Sequence, residues 1–402
     1  MDRRQFLQSS ALASTALWVP QFLQAYSPPE LLSSRSGKAL VVVQLSGGND
    51  GLNTIVPYRN DEYYRKRPRL AIPANAVLPV SDELGFHPAL APLRHLYDNG
   101  QLAVVNNVGY PNPDRSHFRS MDIWHTASNS DTYLSTGWLG RYLDHTCSGC
   151  ANHAALEVDD DLSLALKGDR YKGFAMSDPR RLKKSSDNPL LKKLGEAYAG
   201  QNGGREPEPD PVAYLYKTMI DTQSSANSLH AQAQSFQSRV GYPQGRFAQK
   251  LKLVAELLTT DADIHLFYVS LSGFDTHANQ AFVQERLLKQ YAEGMAAFVE
   301  DLNQHRLLED VVILTFSEFG RRVEENASRG TDHGTANNVF LLGGQLRRSG
   351  FINEGPDLGR LDQGDLIYQI DFRRIYADLL DRVLQADAGQ VLGRAFEGLG
   401  IV

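Results

Sequence analysis

VVILTFSEFG (Val311 to Gly320) is an apolar run that stops abruptly at Ser317-Glu318, and NVFLLGG (Asn338 to Gly344) is a second such run a short way downstream. Between them lies GTDHGT (Gly330 to Thr335). Apolar runs without polar alternation are expected of strands covered on both faces. The stretch therefore predicts two buried strands flanking a polar excursion. Packing needs neither a carboxylate nor an imidazole there, so Glu318, Asp332 and His333 stand out as candidate functional groups at strand ends.

The same pattern extends outward. ALVVVQL (Ala39 to Leu45) breaks into Ser46-Gly-Gly-Asn-Asp-Gly51, and LAVVNNVG (Leu102 to Gly109) is followed by YPNPDRS and the helix-like HFRSMDIWHTA. IHLFYVSLSG (Ile264 to Gly273) ends in Phe274-Asp275-Thr276-His277, and a long helical pattern, AFVQERLLKQYAEGMAAFVEDLNQH, leads from there to VVILTF. Buried runs alternating with helices predict an α/β fold, a mostly parallel central sheet with helices on both faces. In such sheets ligands bind at the carboxyl ends of the strands. Polar clusters at Asp50, Ser116, Asp275 with His277, and Glu318 follow four of the runs, so they point to one place. From Asp159 to about Gln249 the chain is polar and rich in Lys, Ser and Gln, with QNGGREPEPDP (Gln201 to Pro211) breaking two helical patterns. This reads as a helical insertion, about 159–249, within a single domain spanning 36–402.

The chain has 402 residues, 42% of them hydrophobic and 22% charged, the composition of a globular protein with a large core. Its 41 Lys+Arg against 47 Asp+Glu form no basic stripe interleaved with aromatics, so nucleic acid is not an expected partner. Residues 1–35 read as a twin-arginine export signal and linker: Arg3-Arg4 precede Phe6-Leu7, a weakly apolar stretch SSALASTALW, and Ser/Pro-rich sequence. An apolar part of roughly ten residues is too short for a bilayer, which takes about 20. The expected location is the periplasm or beyond, with the export machinery as a partner and no stable membrane span. Cys147 and Cys150 cannot build a disulfide framework. In an oxidising compartment a local disulfide is expected, with free structural thiols or a metal site as the alternatives.

A hydrolytic metal site needs oxygen donors and imidazoles converging from several strands. Asp50, Asp275, His277, Glu318, Asp332 and His333 supply such a set. Each has a plainer use as well, since an Asp after a Gly-Gly turn often makes only an Asx turn. Ser116, in Asp114-Arg115-Ser116-His117, sits where a helix begins; a serine there is usually an N-cap, and the position is also where the helix N-terminus would stabilise a nucleophile's developing alkoxide. Arg115, Arg321 and Arg322 are candidate anion clamps.

The twin-arginine signal together with LSGGNDGLNTIVPY, PNPDRSHFRSMDIW, STGWLGRYLD, GFDTH, TFSEFGRR and GTDHGTAN resembles the bacterial DUF1501 family, which looks like a distant branch of the alkaline phosphatase and sulfatase superfamily. That resemblance implies an alkaline phosphatase-like fold, a metal-binding role for Asp50, a nucleophilic role for Ser116, a first-metal pair in Asp275 and His277, and a returning ligand in His333. It also exposes a departure. Where the superfamily ends a strand in Ser-Asp-His-Gly this chain has Ser317-Glu318-Phe319-Gly320, so either Glu318-Phe319 replaces the Asp-His pair or Asp332-His333 is that pair and the late His is missing. The function implied is an exported metal-dependent hydrolase of phosphate or sulfate esters, small or polymer-borne, with one or two divalent ions (zinc, manganese, magnesium or calcium). The alternative is a non-catalytic binding or assembly protein of the cell envelope on a degenerate version of the fold. A metal-free serine hydrolase is weakest, because no G-x-S-x-G elbow is present.

The export reading yields a direct expectation: Arg3→Lys with Arg4→Lys leaves the precursor in the cytoplasm, as cell fractionation followed by immunoblotting will register. Unchanged periplasmic accumulation of the double variant rejects it.

Overall fold

The continuous apolar runs become strands because both their faces are covered, and the odd and even positions of the first strand enter different cores. The computed structural model describes residues 38–148, 154–180, 225, 227–231, 233, 234, 236, 238–260 and 264–402. The expected export signal, Cys150 and residues 181–224 of the expected insertion lie outside these. In chain order the elements that frame the site are β1 (Ala39–Ser46), α1 (Ala91–Asp98), β2 (Leu102–Gly109), α2 (His117–Thr126), α3 (Trp138–Thr146), β3 (Ala155–Glu157), β4 (Phe174–Ala175), α4 (Arg246–Thr259), β5 (Leu266–Ser272), α5 (Gln280–Gln304), β6 (Val311–Phe316), β7 (Asn337–Gly343), β8 (Gly350–Phe351), β9 (Ile370–Asp371) and α6 (Phe372–Asp378).

The main sheet has nine strands in the order β8-β2-β7-β6-β1-β5-β3-β4, with β9 also pairing to β2. Strands β6, β1, β5, β3 and β4 are mutually parallel, while β7 runs antiparallel to both of its neighbours, β6 and β2. The fold is therefore α/β with a large, mostly parallel sheet flanked by helices. The single reversed strand has a consequence for the site. The link from the end of β6 to the start of β7 leaves and re-enters the sheet at the same edge, which is where the carboxyl ends of β1 and β5 lie.

On one face Val41, Val43 and Leu45 of β1 pack with Leu93 of α1, Leu251 and Val254 of α4, and Leu288, Met295 and Phe298 of α5. On the other, Leu40 and Val42 join Ile123 and Trp124 of α2, Trp138 and Leu139 of α3, and Ile375 and Tyr376 of α6. Trp124 is stacked between Phe316 and Phe372, with centroids at 4.8 and 4.3 Å, which fixes α2 against the end of β6. A small three-stranded sheet (Ile55–Val56, Leu78–Pro79, Gly85–Phe86) adjoins a separate apolar cluster around Tyr63 and Val323. Within the expected insertion, 159–180 holds a short 3-10 turn at Leu164–Leu166 and the edge strand β4, so this part extends the sheet and is not helical. Cys147 is disulfide-bonded. No helix among the described residues is long and apolar enough to cross a membrane.

The edge near β3 buries a carboxyl group. Glu157 accepts the Ser163 amide at 2.6 Å, yet burial pushes its pKa up to about 8, against the lowering effect of that bond. A carboxyl whose folded pKa lies above its ordinary 4.5 adds stability fully below that value and loses it as pH rises through about 8. Glu157→Gln keeps the acceptor and removes the titration. Urea denaturation from about pH 6 to about pH 9 is expected to show the native chain weakening relative to Glu157→Gln as pH rises. Parallel curves for the two proteins negate this.

Candidate metal centre

Three short polar loops meet at the carboxyl edge of the sheet, and a buried guanidinium joins them. Arg321 donates to the carbonyls of Gly48 (2.6 Å), Phe274 (2.9 Å) and Thr331 (3.0 Å), to that of Gly47, and to Asp275 Oδ1 at 2.8 Å. These acceptors belong to the β1–Asp50 loop, the GFDTH loop and the GTDHGT loop. Arg321, expected as an anion clamp, is instead a structural tie with its donors already committed. The loops approach so closely that a Cβ on Gly47, whose φ is +117°, would lie 2.4 Å from the Asp275 amide nitrogen. Residues 320–322 and 332–334 then run antiparallel past each other, pairing Arg321 with His333 across an isolated bridge.

Asp275 Oδ1 is the focus of the site. His277 Nε2 lies 2.9 Å from it, His333 Nε2 3.1 Å and His117 Nε2 3.4 Å, and the Nε2 atoms of His277 and His333 are 2.9 Å apart. His117, Asp275 and His333 form the group whose donor atoms all fall within 4.8 Å of one another. His117 is a ligand candidate that sequence reading passed over. It occupies the first position of α2, directly after Ser116, and its place inside the DRSHF motif was the available signal.

Each imidazole is held by its other nitrogen. His117 Nδ1 faces Glu318 Oε1 at 3.0 Å, His277 Nδ1 faces Asp332 Oδ1 at 3.4 Å, and His333 Nδ1 faces the Arg115 carbonyl at 2.8 Å. Each ring thus stands between an acceptor at Nδ1 and the Asp275 carboxylate at Nε2, and a ring proton carried on Nδ1 leaves the Nε2 lone pair free for a cation. Glu318 and Asp332, expected as direct ligands, thus orient imidazoles from behind. Glu318 is fully buried and also accepts the Gly47 amide at 2.8 Å. Asp332 is steadied by Asn326 Nδ2 at 3.1 Å, a bond that, as its main cause, lowers its pKa. The buried Phe319 ring lies 4.8 Å from both His117 and His333, an apolar floor beneath the two rings.

Asp50 is not among the residues gathered around Asp275. It is buried, its Oδ1 accepts the Leu52 and Asn53 amides at 3.2 and 3.4 Å, and its Oδ2 takes Arg67 Nη1 and Gln280 Nε2, each at 2.5 Å. Arg67 is itself fully buried and spends its other donors on Asn53 Oδ1 and the carbonyls of Arg322 and Val323. A protein cation therefore fills the place beside Asp50 where the sequence led us to expect a metal. Ser116 is exposed at the N-cap of α2, and its side chain makes no capping bond. It stands between Arg115, whose carbonyl holds His333, and His117. The Arg115 side chain is 41% exposed and pairs with buried Asp365, which also faces Arg322 Nε at 3.4 Å.

Charge at the centre follows from these contacts. Burial alone would raise the Asp275 pKa, but hydrogen bonds from Arg321 and His333 outweigh it and hold the carboxyl well below its usual range. Burial lowers His333, against Asp275 and the Arg115 carbonyl, whereas the bond to Glu318 raises His117.

Comparison with other proteins places the chain in a family. No curated protein matches it. Among solved structures it is similar to the C-terminal periplasmic domain of EcEptC from Escherichia coli in complex with Zn, at 13% identity and a TM-score of 0.37, covering 79% of this chain and 77% of that one. It is also similar to the lipoteichoic acid synthase LtaP from Listeria monocytogenes, at 10% identity and a TM-score of 0.34 over 84% of this chain and 73% of that one. A third is the PsFucS1 sulfatase from Pseudoalteromonas sp., at 10% identity and a TM-score of 0.35 over 80% and 65%. The model of the family described as "Protein of unknown function (DUF1501)" matches residues 37–383. The chain belongs to the DUF1501 family.

Proposed function

We propose that this protein is an exported hydrolase of phosphate or sulfate esters that works with a single divalent cation held by His117, Asp275 and His333, with His277 beside them. One observation carries the reading: three imidazoles, each anchored through Nδ1, turn their Nε2 atoms toward one carboxylate. With the ring protons on Nδ1, the Nε2 lone pairs and the carboxylate, 2.9–3.4 Å apart, are reconciled by a cation between them. Anchoring the second ring nitrogen on a carboxylate or carbonyl is the usual support of metal-bound histidine. A donor set of imidazole nitrogens and one carboxylate oxygen suits zinc best, with manganese next; calcium and magnesium prefer oxygen.

When bound, such a cation supplies Lewis acidity, which lowers the pKa of a neighbouring hydroxyl or water and offsets charge on an ester oxygen. The chain does the rest. Glu318, Asp332 and the Arg115 carbonyl keep the three rings in their tautomers and facing inward. Ser116 offers an uncommitted hydroxyl at a helix N-terminus, where unpaired amides favour negative charge. Arg115 presents a half-exposed guanidinium beside it to receive the anionic ester. Two cations are not supported, because Asp50 is neutralised by Arg67.

A second reading, a non-catalytic envelope protein on a degenerate fold, draws support from that same loss of Asp50 and from Phe319 standing where the superfamily pattern has a histidine. Turnover separates the two. Elemental analysis of protein purified from the periplasm is expected to find about one equivalent of zinc or manganese. His333→Ala or Asp275→Ala should reduce this to background, whereas Asp50→Asn should keep it while lowering stability. Zinc added at about a hundredfold its Kd should raise stability by about 2.7 kcal/mol in the native chain and not in His333→Ala. Ser116→Ala is expected to abolish hydrolysis of an aryl phosphate or sulfate and retain the metal. Protein without metal, whose melting no divalent ion moves, refutes the centre; bound metal without turnover of either ester class selects the second reading.

A further inference from the structure

The exposed large apolar side chains among the described residues are Phe118, Tyr133, Leu134, Phe282 and Ile367. Single exposed hydrophobics are ordinary on a protein surface. Four of them, Phe118, Tyr133, Leu134 and Ile367, belong to segments bonded to the site or to α2. Phe118 is 85% exposed and follows His117 in the first turn of α2. Ile367 follows the short Asp365–Leu366 strand, which is tied to the site twice: Asp365 pairs with Arg115, and the Leu366 carbonyl accepts the Thr335 hydroxyl at 2.5 Å.

Tyr133 and Leu134 belong to the loop after α2, and that loop is built. Arg119, buried on α2, donates to the carbonyls of Asn129, Ser130 and Thr132 at 3.0, 2.9 and 2.7 Å, and its guanidinium lies 3.9 Å from the Tyr133 ring centroid. A buried arginine is thereby used to hold an aromatic ring that is itself 76% exposed. Rigid aromatic surface displayed in this way binds with little loss of conformational freedom. Polar recognition adjoins it. Arg115 and Arg322 share the single carboxylate of Asp365, so this group carries one net positive charge beside the imidazoles.

We propose that the site selects anionic amphiphiles: the anion lies toward Arg115 and Arg322, and an alkyl or aryl portion lies on Phe118, Tyr133, Leu134 and Ile367. The proposal rests on the ester-hydrolase reading for what happens to such a molecule, but recognition itself follows from the charge and the apolar surface being adjacent. A ligand with only the anion leaves the rim wet, and an apolar ligand without charge leaves the arginines unanswered.

The test uses the full mature chain loaded with zinc and titrated calorimetrically with n-alkylphosphonates from butyl to decyl, which carry the anion but no ester to cleave, each below its micelle concentration. Affinity is expected to rise about two- to fourfold per methylene, the upper figure being that of full burial. Phe118→Ser with Tyr133→Ser should flatten this dependence. Arg115→Gln with Arg322→Gln should weaken every chain length by a similar factor, about tenfold. The substituted side chains are surface or half-exposed, and thermal melts confirm that the variants fold. A native protein with no chain-length dependence, an unchanged slope in the Phe118/Tyr133 variant, or equal affinity for decyltrimethylammonium overturns the proposal. So does binding to neutral phosphatidylcholine vesicles that Phe118→Ser/Tyr133→Ser removes, which assigns the rim to a membrane, or self-association lost in the same variant, which assigns it to a second copy. Chain-length-dependent binding without turnover of any ester sinks the hydrolase reading and leaves this one standing. Turnover indifferent to chain length does the reverse.

Discussion

Arg321 is the constraint on which the site depends. Backbone carbonyls at the ends of β1 and β5 and in the loop before β7 have no ladder partner, and carbonyls buried without one cost free energy comparable to a lost hydrogen bond. One planar cation with several donors answers four of them and an aspartate as well. Breaking it would leave buried acceptors on three loops at once, a loss of the kind that costs several kcal/mol. The same bond that satisfies the backbone also lowers the proton affinity of Asp275. Loop assembly and the charge of the centre therefore share one residue.

Around that tie, orientation is divided among unlike partners. A buried glutamate sets His117, an exposed aspartate sets His277, and a main-chain carbonyl sets His333. The rings at 117 and 333 rest on Phe319, which gives them an apolar wall and no competing hydrogen bond. A histidine in place of Phe319 would add a donor; the phenylalanine adds rigidity. The orientation of the rings around Asp275 thus comes from the groups behind them.

The sheet was legible in the sequence because fully buried strands write themselves as unbroken apolar runs, and VVILTF, ALVVVQL and LFYVS each form a strand. Strand direction leaves no such trace: nothing in NVFLLGG distinguishes the antiparallel course of β7 from a parallel one. The edge strand Phe174–Ala175 is too short to carry a period. At the site, residue types were readable and roles were not. Glu318 and Asp332 were found because carboxylates at strand ends are conspicuous, yet whether a carboxylate touches a cation or an imidazole is decided by tertiary distances of a few ångströms. Arg67 was hidden in RKRPR, a run that resembles a solvated basic patch, although Arg67 is fully buried. His117 was overshadowed by the serine before it.

The pairing of Arg67 with Asp50 bears on what the protein requires of its surroundings. A metal is borrowed from the medium and can be withdrawn by chelators, by scarcity or by exchange for a competitor. A guanidinium is encoded in the gene, arrives at one per chain, cannot dissociate, and stays charged across the physiological range. The loop that closes β1 is therefore insulated from the inorganic chemistry of the compartment, and under the proposed function dependence on supply is confined to the imidazoles around Asp275. A protein arranged in this way would meet loss of the proposed metal as loss of competence, with the Asp50–Arg67 pair at the neighbouring strand end left in place for reloading.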